Sequence, residues 1–297
     1  MTQDEFEFVL TDRIAKIQAI NKQLDLENNS YIAFSGGKDS TILHYLIDIA
    51  IPNNKIPRVY ANTGIEYNLM VKFVKELAQQ DNRIIILNQN KNIIQTLKTY
   101  GYPFKSKEHS DRVNAFNNGS QARYLKNYLD YDAPQGYKCP KKLLYQFEEK
   151  GKYNYSKQCC YKLKKDLSHR FECWSNRRIN ITGMKNEEGG NRAKLTCLTN
   201  KNKSFHPLIV VSDEWENEFI KRFNIKLCEL YNPPYNFKRT GCKGCPYNKN
   251  IQKDLKTMFE LLPNEYYQCL HLWKPVYDEY IRIGYRLKEY PHLKGGE

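Results

Sequence analysis

The sequence predicts an α/β fold: a parallel sheet with flanking helices, extended by helical segments at both the N- and C-terminal ends. Two observations carry this expectation. Residues 30–89 alternate short apolar runs with amphipathic stretches, in the order strand, helix, strand, helix, strand. That order is the signature of parallel strands joined by crossover helices. The segments before residue 30 and after about 252 instead repeat apolar residues at helical spacing.

Taken in order, residues 4–28 place Phe6, Val9, Leu10, Ile14 and Ile17 at spacings of three and four, as an amphipathic helix does. "SYIAF" is a short buried strand, and the chain from Ser40 with Ile42, Leu43, Leu46 and Ile47 is a helix. "PRVYANTG" gives a second strand at Val59–Ala61 that ends in a polar turn. "EYNLMVKFVKELAQQ" is the second crossover helix and "RIIILNQ" the third strand. Residues 100–157 are rich in Tyr, Asn, Lys and Gly and only weakly periodic, with helices expected near 121–129 and 141–149. "RRINITGM" carries a strand at Ile179–Thr182, and "FHPLIVV" reads as another. "SDEWENEFIKRF" opens with a Ser N-cap and an acidic first turn, both favoured at a helix start. From about 252 to 290 the chain is helical again. The expected organisation is a nucleotide-binding domain with its N-terminal helix over residues 1–250, and a helical extension over 251–297.

Composition narrows the function classes. Hydrophobic residues are 40% and charged residues 27%, ordinary for a soluble protein. No apolar run approaches the length of a membrane span, and the acidic, amphipathic N-terminus has no signal-peptide pattern, so a cytoplasmic protein is expected. The net charge is +14, and residues 138–178 hold twelve Lys or Arg against four Asp or Glu, a net of +8. Such a stretch is either a solvated basic face or a surface for a polyanion such as a nucleotide, tRNA or DNA. Nine cysteines without a secretory signal favour metal or redox chemistry over disulfides.

The stretch "YIAFSGGKDSTILHYLI" runs from strand through a glycine turn into a helix. Unpaired backbone N–H groups gather there at the positive end of a helix dipole, which favours an anion. Gly36 and Gly37 permit close backbone approach, Ser35 and Ser40 add hydroxyls, and Lys38 adds charge. The spacing is not that of a Walker A loop, and a tight turn with no ligand is the competing reading.

Cys159 and Cys160 are adjacent, and 81 residues separate Cys160 from Cys242 of the pair Cys242-x-x-Cys245. A CxxC loop with an intervening glycine, Gly244, points two thiolates at one centre. Adjacent side chains diverge, so a larger cluster suits Cys159 and Cys160 better than one small ion. A four-cysteine iron–sulfur or zinc site and two unrelated pairs both remain open on spacing alone.

The string Ser35-Gly36-Gly37-Lys38-Asp39-Ser40 resembles the pyrophosphate-binding (PP-) loop of the adenine nucleotide alpha-hydrolase superfamily, whose Rossmann-like members bind ATP or another adenylyl nucleotide. The cysteine pattern resembles that of adenylylsulfate reductases, which hold a [4Fe–4S] cluster on four cysteines. Lys164 in "CCYKLKK" matches the lysine that those enzymes keep beside the cluster. "VYANTGIEY" is similar to the family's second-strand motif, here with Asn62, Thr63, Gly64 and Glu66. "ITGMKNEEGGNRA" is similar to its Gly-x-Arg-x-x-Glu segment, with Gly183, Lys185, Glu188 and Arg192, although a plain glycine turn after a strand would read the same way. "FHPLIVVSDEW" is similar to its later Pro-Leu-Ile region. Over about residues 28–250 the chain is therefore similar to the phosphoadenosine phosphosulfate (PAPS) reductase family in the broad sense.

The resemblance implies phosphate contacts from residues 35–40, and a nucleotide site completed by Asn62, Thr63, Gly64, Glu66 and Gly183. It also implies a cluster on Cys159, Cys160, Cys242 and Cys245, and charge supplied at the reacting group by Lys164, Lys185 and Arg192. Mg²⁺ is expected wherever ATP is the nucleotide. The tail "RLKEYPHLKGGE" lacks the catalytic cysteine motif of sulfonucleotide reductases, and Cys269 in "YYQCLHLW" lies at helical spacing among apolar residues. Three functions follow: sulfur transfer or thiolation with ATP activation, reduction of an adenylyl sulfate to sulfite by Cys269 or a partner's thiol, and a non-catalytic DNA-associated regulator that senses nucleotide and cluster. The expected partners are an adenine nucleotide, DNA or tRNA met by residues 138–178, and a thiol or sulfur-donor protein. Self-association is left open, and no membrane is involved.

Overall fold

The computed structural model describes residues 1–133, 137–188 and 195–291. In chain order its elements are α1 (Gln3–Leu24), α2 (Leu26–Asn29), β1 (Ser30–Phe34), α3 (Lys38–Ala50), β2 (Arg58–Asn62), α4 (Asn68–Gln80), β3 (Ile84–Asn88) and α5 (Ile93–Tyr100). There follow α6 (Lys107–Asn117), α7 (Arg123–Leu129), α8 (Gln158–Cys160), α9 (Asp166–Ser175), β4 (Ile179–Ile181), β5 (Leu198–Thr199) and β6 (Ser204–Phe205). The last three are α10 (Asp213–Arg222), α11 (Ile251–Leu261) and α12 (Pro263–Arg282). They form two compact units: residues 1–89 with 166–241, and residues 90–165 with 242–297.

The first unit contains the sheet, in the strand order β3-β2-β1-β4-β6-β5. All neighbours are parallel except β5 and β6. The chain builds β2 and β3 to one side of β1 and then returns to lay β4 on the other, with Ile32 opposite both Arg58 and Ile181. The order therefore reverses between β1 and β4. In an open α/β sheet, ligands bind outside the carboxyl ends of the strands at such a reversal.

Strand alternation sorts the core. Tyr31, Ala33, Val59, Ile85 and Leu87 pack with Phe171 of α9, while α3 packs against β1 and α1 against α3. Helix α1 starts in a Thr2–Glu5 capping box and ends at Asp25, which is left-handed at φ 48°. That break divides the helix expected over 4–28 into α1 and α2. Trp215 of α10 stacks on Phe6 at 5.3 Å and donates its indole N–H to the Phe6 carbonyl.

Of "FHPLIVV" only Phe205 joins the sheet, as the last residue of β6 (Ser204–Phe205). Pro207 has no N–H for a ladder, and the chain turns instead, with the Ile209 and Val211 amides bonded to the His206 and Leu208 carbonyls.

The second unit is helical. The segment expected near 141–149 is a tight 3-10 helix, Lys141–Phe147, entered from Pro140. Helix α6 escaped the periodicity reading: its mean hydropathy is low, and its start is set by Ser106, whose hydroxyl accepts from the His109 amide. Phe104, Tyr155 and Tyr280 make the aromatic core, with ring centroids 4.4 and 4.8 Å apart. His109 is buried between the Tyr128 hydroxyl and the Gln146 carbonyl, each at 2.8 Å. No helix among the described residues is long and apolar enough to cross a membrane.

Candidate functional site: a phosphate loop and a cysteine centre

The glycine turn lies in the first unit, at the carboxyl end of β1. Gly36 is left-handed, at φ +70°, and a Cβ there would stand 2.5 Å from the Met70 sulfur and 2.8 Å from a Val74 methyl. Both demands select glycine. Gly37 caps α3 without a side-chain partner, so hydroxyls of other residues supply acceptors to the loop amides. The Ser35 amide donates to the Ser40 hydroxyl at 3.2 Å, the Gly37 amide to the Ser35 hydroxyl at 3.3 Å, and the Lys38 amide to the Tyr231 hydroxyl at 3.1 Å. Tyr231 is itself tied to Thr240 at 2.5 Å. Burial raises the pKa of Tyr231, which keeps it a neutral phenol. Each of these oxygens stands where a phosphate oxygen could accept the same N–H.

Gly183, just beyond β4, closes the turn from the neighbouring strand. A Cβ on it would meet the Asp39 carbonyl oxygen at 2.9 Å. The segment after β2 is bound to itself: Thr63 donates its amide (2.8 Å) and its hydroxyl (2.9 Å) to the Glu66 carboxylate, and Gly64 turns at φ +85°. Asn62 donates its side-chain amide to Asn88 at 2.8 Å. Asn62, Gly64 and Glu66 line a depression that continues along α4 through Asn68, Lys72 and Lys75.

Charge at the loop centres on a residue that sequence reasoning missed. Glu216 of α10 is fully buried, and its Oε2 accepts from Lys185 at 2.8 Å and from Lys38 at 2.9 Å. Asp213 pairs with the same two ammonium groups. Burial, then the nearby Asp39, raises the Glu216 pKa, and the two lysines work against that rise. Lys185 is thus buried against carboxylates. Arg192 lies outside the described residues, as does the side chain of Glu188. A Glu in the first turn of a Ser-capped helix reads simply as capping chemistry, which is why Glu216 carried no signal.

The four cysteines lie together in the second unit. Cys159 and Cys160 form α8, and residues Tyr161–Lys165 continue it as one π-helical turn, a widening frequent at functional positions. The Cys242–Cys245 turn is closed by the Cys245 amide on the Cys242 carbonyl at 3.2 Å. Gly244 within it is left-handed, at φ +61°, and lies so close to α12 that a Cβ would meet the Tyr277 hydroxyl at 2.6 Å and the Cys269 sulfur at 2.7 Å.

Helix α12 holds this turn with a stripe at helical spacing. Trp273 donates to the Lys243 carbonyl at 3.0 Å, Tyr277 to that of Gly244, and Tyr280 to that of Pro246 at 2.9 Å. Tyr247 donates to the Ser156 carbonyl at 3.2 Å, which ties the turn to the segment that leads into Cys159.

The thiols act on one another. A hydrogen bond with Cys160, burial, and the nearness of Cys160, Cys245 and Cys242 push the Cys159 thiol up. The bond from Cys159, with Lys107, Lys164 and Lys165 around it, pushes Cys160 down towards the thiolate. Burial, then Cys242, raises Cys245. Lys164 is thus one of three lysines near Cys160. Among the described residues no three His, Cys, Asp or Glu side chains meet at a single ion position. Cys160, Cys242 and Cys245 all lie near enough to Cys159 to act on its thiol, so these four are the residues that would hold a cluster. Cys269 is fully buried in α12, and burial pushes its thiol up to about 12.

Residues 29–248 match the family model of the phosphoadenosine phosphosulfate reductase domain. An uncharacterized protein of Methanocaldococcus jannaschii is 23% identical over 292 residues, which are 94% of this chain and 59% of that protein. The chain thus spans about three fifths of that curated relative's length. The crystal structure of phosphoadenylyl-sulfate reductase from Candida auris, a phosphate complex, is similar at 10% identity and TM-score 0.45, over 82% of this chain and 96% of that one. The U34-tRNA thiolase of Methanococcus maripaludis with its [4Fe-4S] cluster is similar at 15% identity and TM-score 0.38, over 91% of this chain and 79% of that one.

Proposed function

Because the chain belongs to the phosphoadenosine phosphosulfate reductase family, we propose that it is an adenine-nucleotide-binding iron–sulfur enzyme that transfers sulfur to an acceptor activated by ATP. The observation that carries the reading is the gathering of Cys159, Cys160, Cys242 and Cys245 in one unit by contacts from α12 and Tyr247. The loop at residues 35–40, at the β1–β4 reversal, supports the nucleotide half of it.

In this reading the Ser35, Gly37 and Lys38 amides exchange their hydroxyl acceptors for phosphate oxygens. Bound together with ATP, Mg²⁺ would offset the charge of the pyrophosphate leaving group. An acceptor oxygen attacks the α-phosphorus and the bond to pyrophosphate breaks; the sulfur donor then displaces AMP, so oxygen leaves with the nucleotide and sulfur stays. The four cysteines would hold a [4Fe–4S] cluster, one thiolate to each iron, and the cluster would supply redox or electrostatic chemistry. Lys164 supplies positive charge against that anionic centre. The basic stretch at 138–178 suits a DNA or tRNA acceptor. The burial of Cys269 favours sulfur transfer over reduction of a sulfonucleotide by a thiol of this chain.

The test is anaerobic reconstitution followed by nucleotide assays. About four irons per chain with matching sulfide are expected, and pyrophosphate released from ATP in the presence of acceptor and sulfur donor. One zinc without sulfide overturns the cluster. Sulfite from an adenylyl sulfate with no pyrophosphate from ATP overturns sulfur transfer in favour of the reductase reaction. Turnover of neither, with salt-sensitive DNA binding, overturns both in favour of a regulator.

A further inference from the structure

Two ammonium groups share one buried carboxylate oxygen at the phosphate loop. Lys185 and Lys38 both reach Glu216 Oε2, at 2.8 and 2.9 Å, while the other oxygen, Oε1, is buried without a hydrogen-bond partner among the described residues. A carboxylate that water cannot reach needs one cation at all times to stay ionised. It does not need two. The two lysines also differ in access: the Lys185 side chain is 4% exposed and that of Lys38 is 23% exposed. Lys185 is the cation that Glu216 keeps, and Lys38, one residue past the glycine pair, is the cation that can leave.

We propose that Glu216 is a carboxylate latch, a positioning residue that holds the Lys38 ammonium in the phosphate-free state and gives it up to an arriving pyrophosphate group. Lys185 stays behind to neutralise Glu216, and so makes the exchange affordable in a buried setting. The groups around the latch are Lys38 and Asp39 at the start of α3, Lys185 beyond β4, and Asp213 on α10 with Glu216. Asp213 is largely exposed and pairs with both lysines, so it can follow either. The inference rests on the loop being a phosphate site. It adds that the affinity of that site is set by competition with Glu216, and that Lys185 acts on the carboxylate rather than on phosphate.

The consequence is a pair of buried-charge variants with opposite effects. Binding of inorganic pyrophosphate and of Mg·ATP to the full chain is measured by titration calorimetry. Glu216→Gln removes the competitor and should tighten pyrophosphate binding about fivefold, on the scale of coupling between neighbouring charges. Lys185→Met leaves Lys38 as the main counter-ion of Glu216 and should weaken binding by a similar factor. Both effects should vanish in a Lys38→Met background. A merely structural role moves both variants the same way, and a phosphate contact by Lys185 persists without Lys38; either result overturns the latch. Wild-type protein that binds neither probe overturns the phosphate site itself, and wild-type binding with Glu216→Gln unchanged or weaker overturns only the latch. Should Glu216→Gln fail to fold, Lys185→Met with and without Lys38→Met decides alone.

Discussion

Gly183 lies against the backbone of Asp39: a Cβ on the glycine would stand 2.9 Å from the Asp39 carbonyl oxygen and 3.0 Å from its carbon. The end of β4 is thereby fitted to the first turn of α3, two segments that the strand order makes neighbours. Backbone cannot swing aside as a side chain can, so Gly183→Ala must displace the phosphate loop. The expected cost is about 1–3 kcal/mol, seen as a lower melting temperature and as roughly tenfold weaker ATP binding by calorimetry. Unchanged affinity would show that the loop tolerates the shift.

Tyr231→Phe isolates the hydroxyl that accepts from the Lys38 amide. Losing that acceptor should lower stability by about 1 kcal/mol in a urea titration. Pyrophosphate binding should not weaken, because the hydroxyl and the phosphate compete for one N–H. Weaker binding with unchanged stability would mean that Tyr231 contacts the ligand instead.

Gly244→Ala should strip metal from the reconstituted protein. The added methyl meets the Tyr277 hydroxyl and the Cys269 sulfur, and so pushes the Cys242–Cys245 turn off α12. Iron per chain should drop well below that of the wild type. Cys269→Ala in the same chain should return part of the loss by opening space, while Cys269→Ala alone should leave iron content and turnover intact. A Cys269→Ala protein with full iron and no turnover would instead make that thiol catalytic.

Acid should destabilise both units as two histidines charge. Burial, then Arg58, lowers the His44 pKa to about 4, and burial lowers that of His109 to about 4 as well. His44 is held neutral as the acceptor of the Arg58 Nε–H at 3.1 Å. The unfolded chain binds these protons near pH 6.5 and the folded chain does not. The stability they confer is therefore complete above about pH 6.5 and is lost as pH falls towards about 4, on the order of 3 kcal/mol for each. Urea midpoints at pH 7 and pH 5 measure the loss, and His109→Gln should flatten the slope. A slope unchanged in His109→Gln would assign the acid loss to other groups.

The sequence determined everything that rests on local periodicity and on residue type at fixed spacing. The β1-α3-β2-α4-β3 series was legible because each element satisfies its own pattern within about a dozen residues. The loop at Ser35–Ser40 was legible because two adjacent glycines between a strand pattern and a helix pattern stand out as residue types, and Gly36 at φ +70° against Met70 and Val74 uses that freedom. Helix α6 was not legible, since a capped start and a polar surface leave little apolar periodicity to read. Only the tertiary structure decided which distant groups complete each centre. The strand reversal brings Gly183 to Asp39, α10 brings Glu216 to Lys38, and the segment before α11 brings Tyr231 to the Lys38 amide. The discontinuous second unit likewise assembles Cys159 and Cys160 with Cys242 and Cys245: Tyr247 bonds to Ser156, and Trp273, Tyr277 and Tyr280 on α12 hold the Cys242–Cys245 turn. The two cysteine pairs, and the partners of the loop at Lys38 and Asp39, lie more than 80 residues apart in the chain, so neither member of a pair leaves a trace in the other's local pattern. Their meeting is fixed by which strand lies beside which and by which helix face is buried, and those are properties of the folded chain.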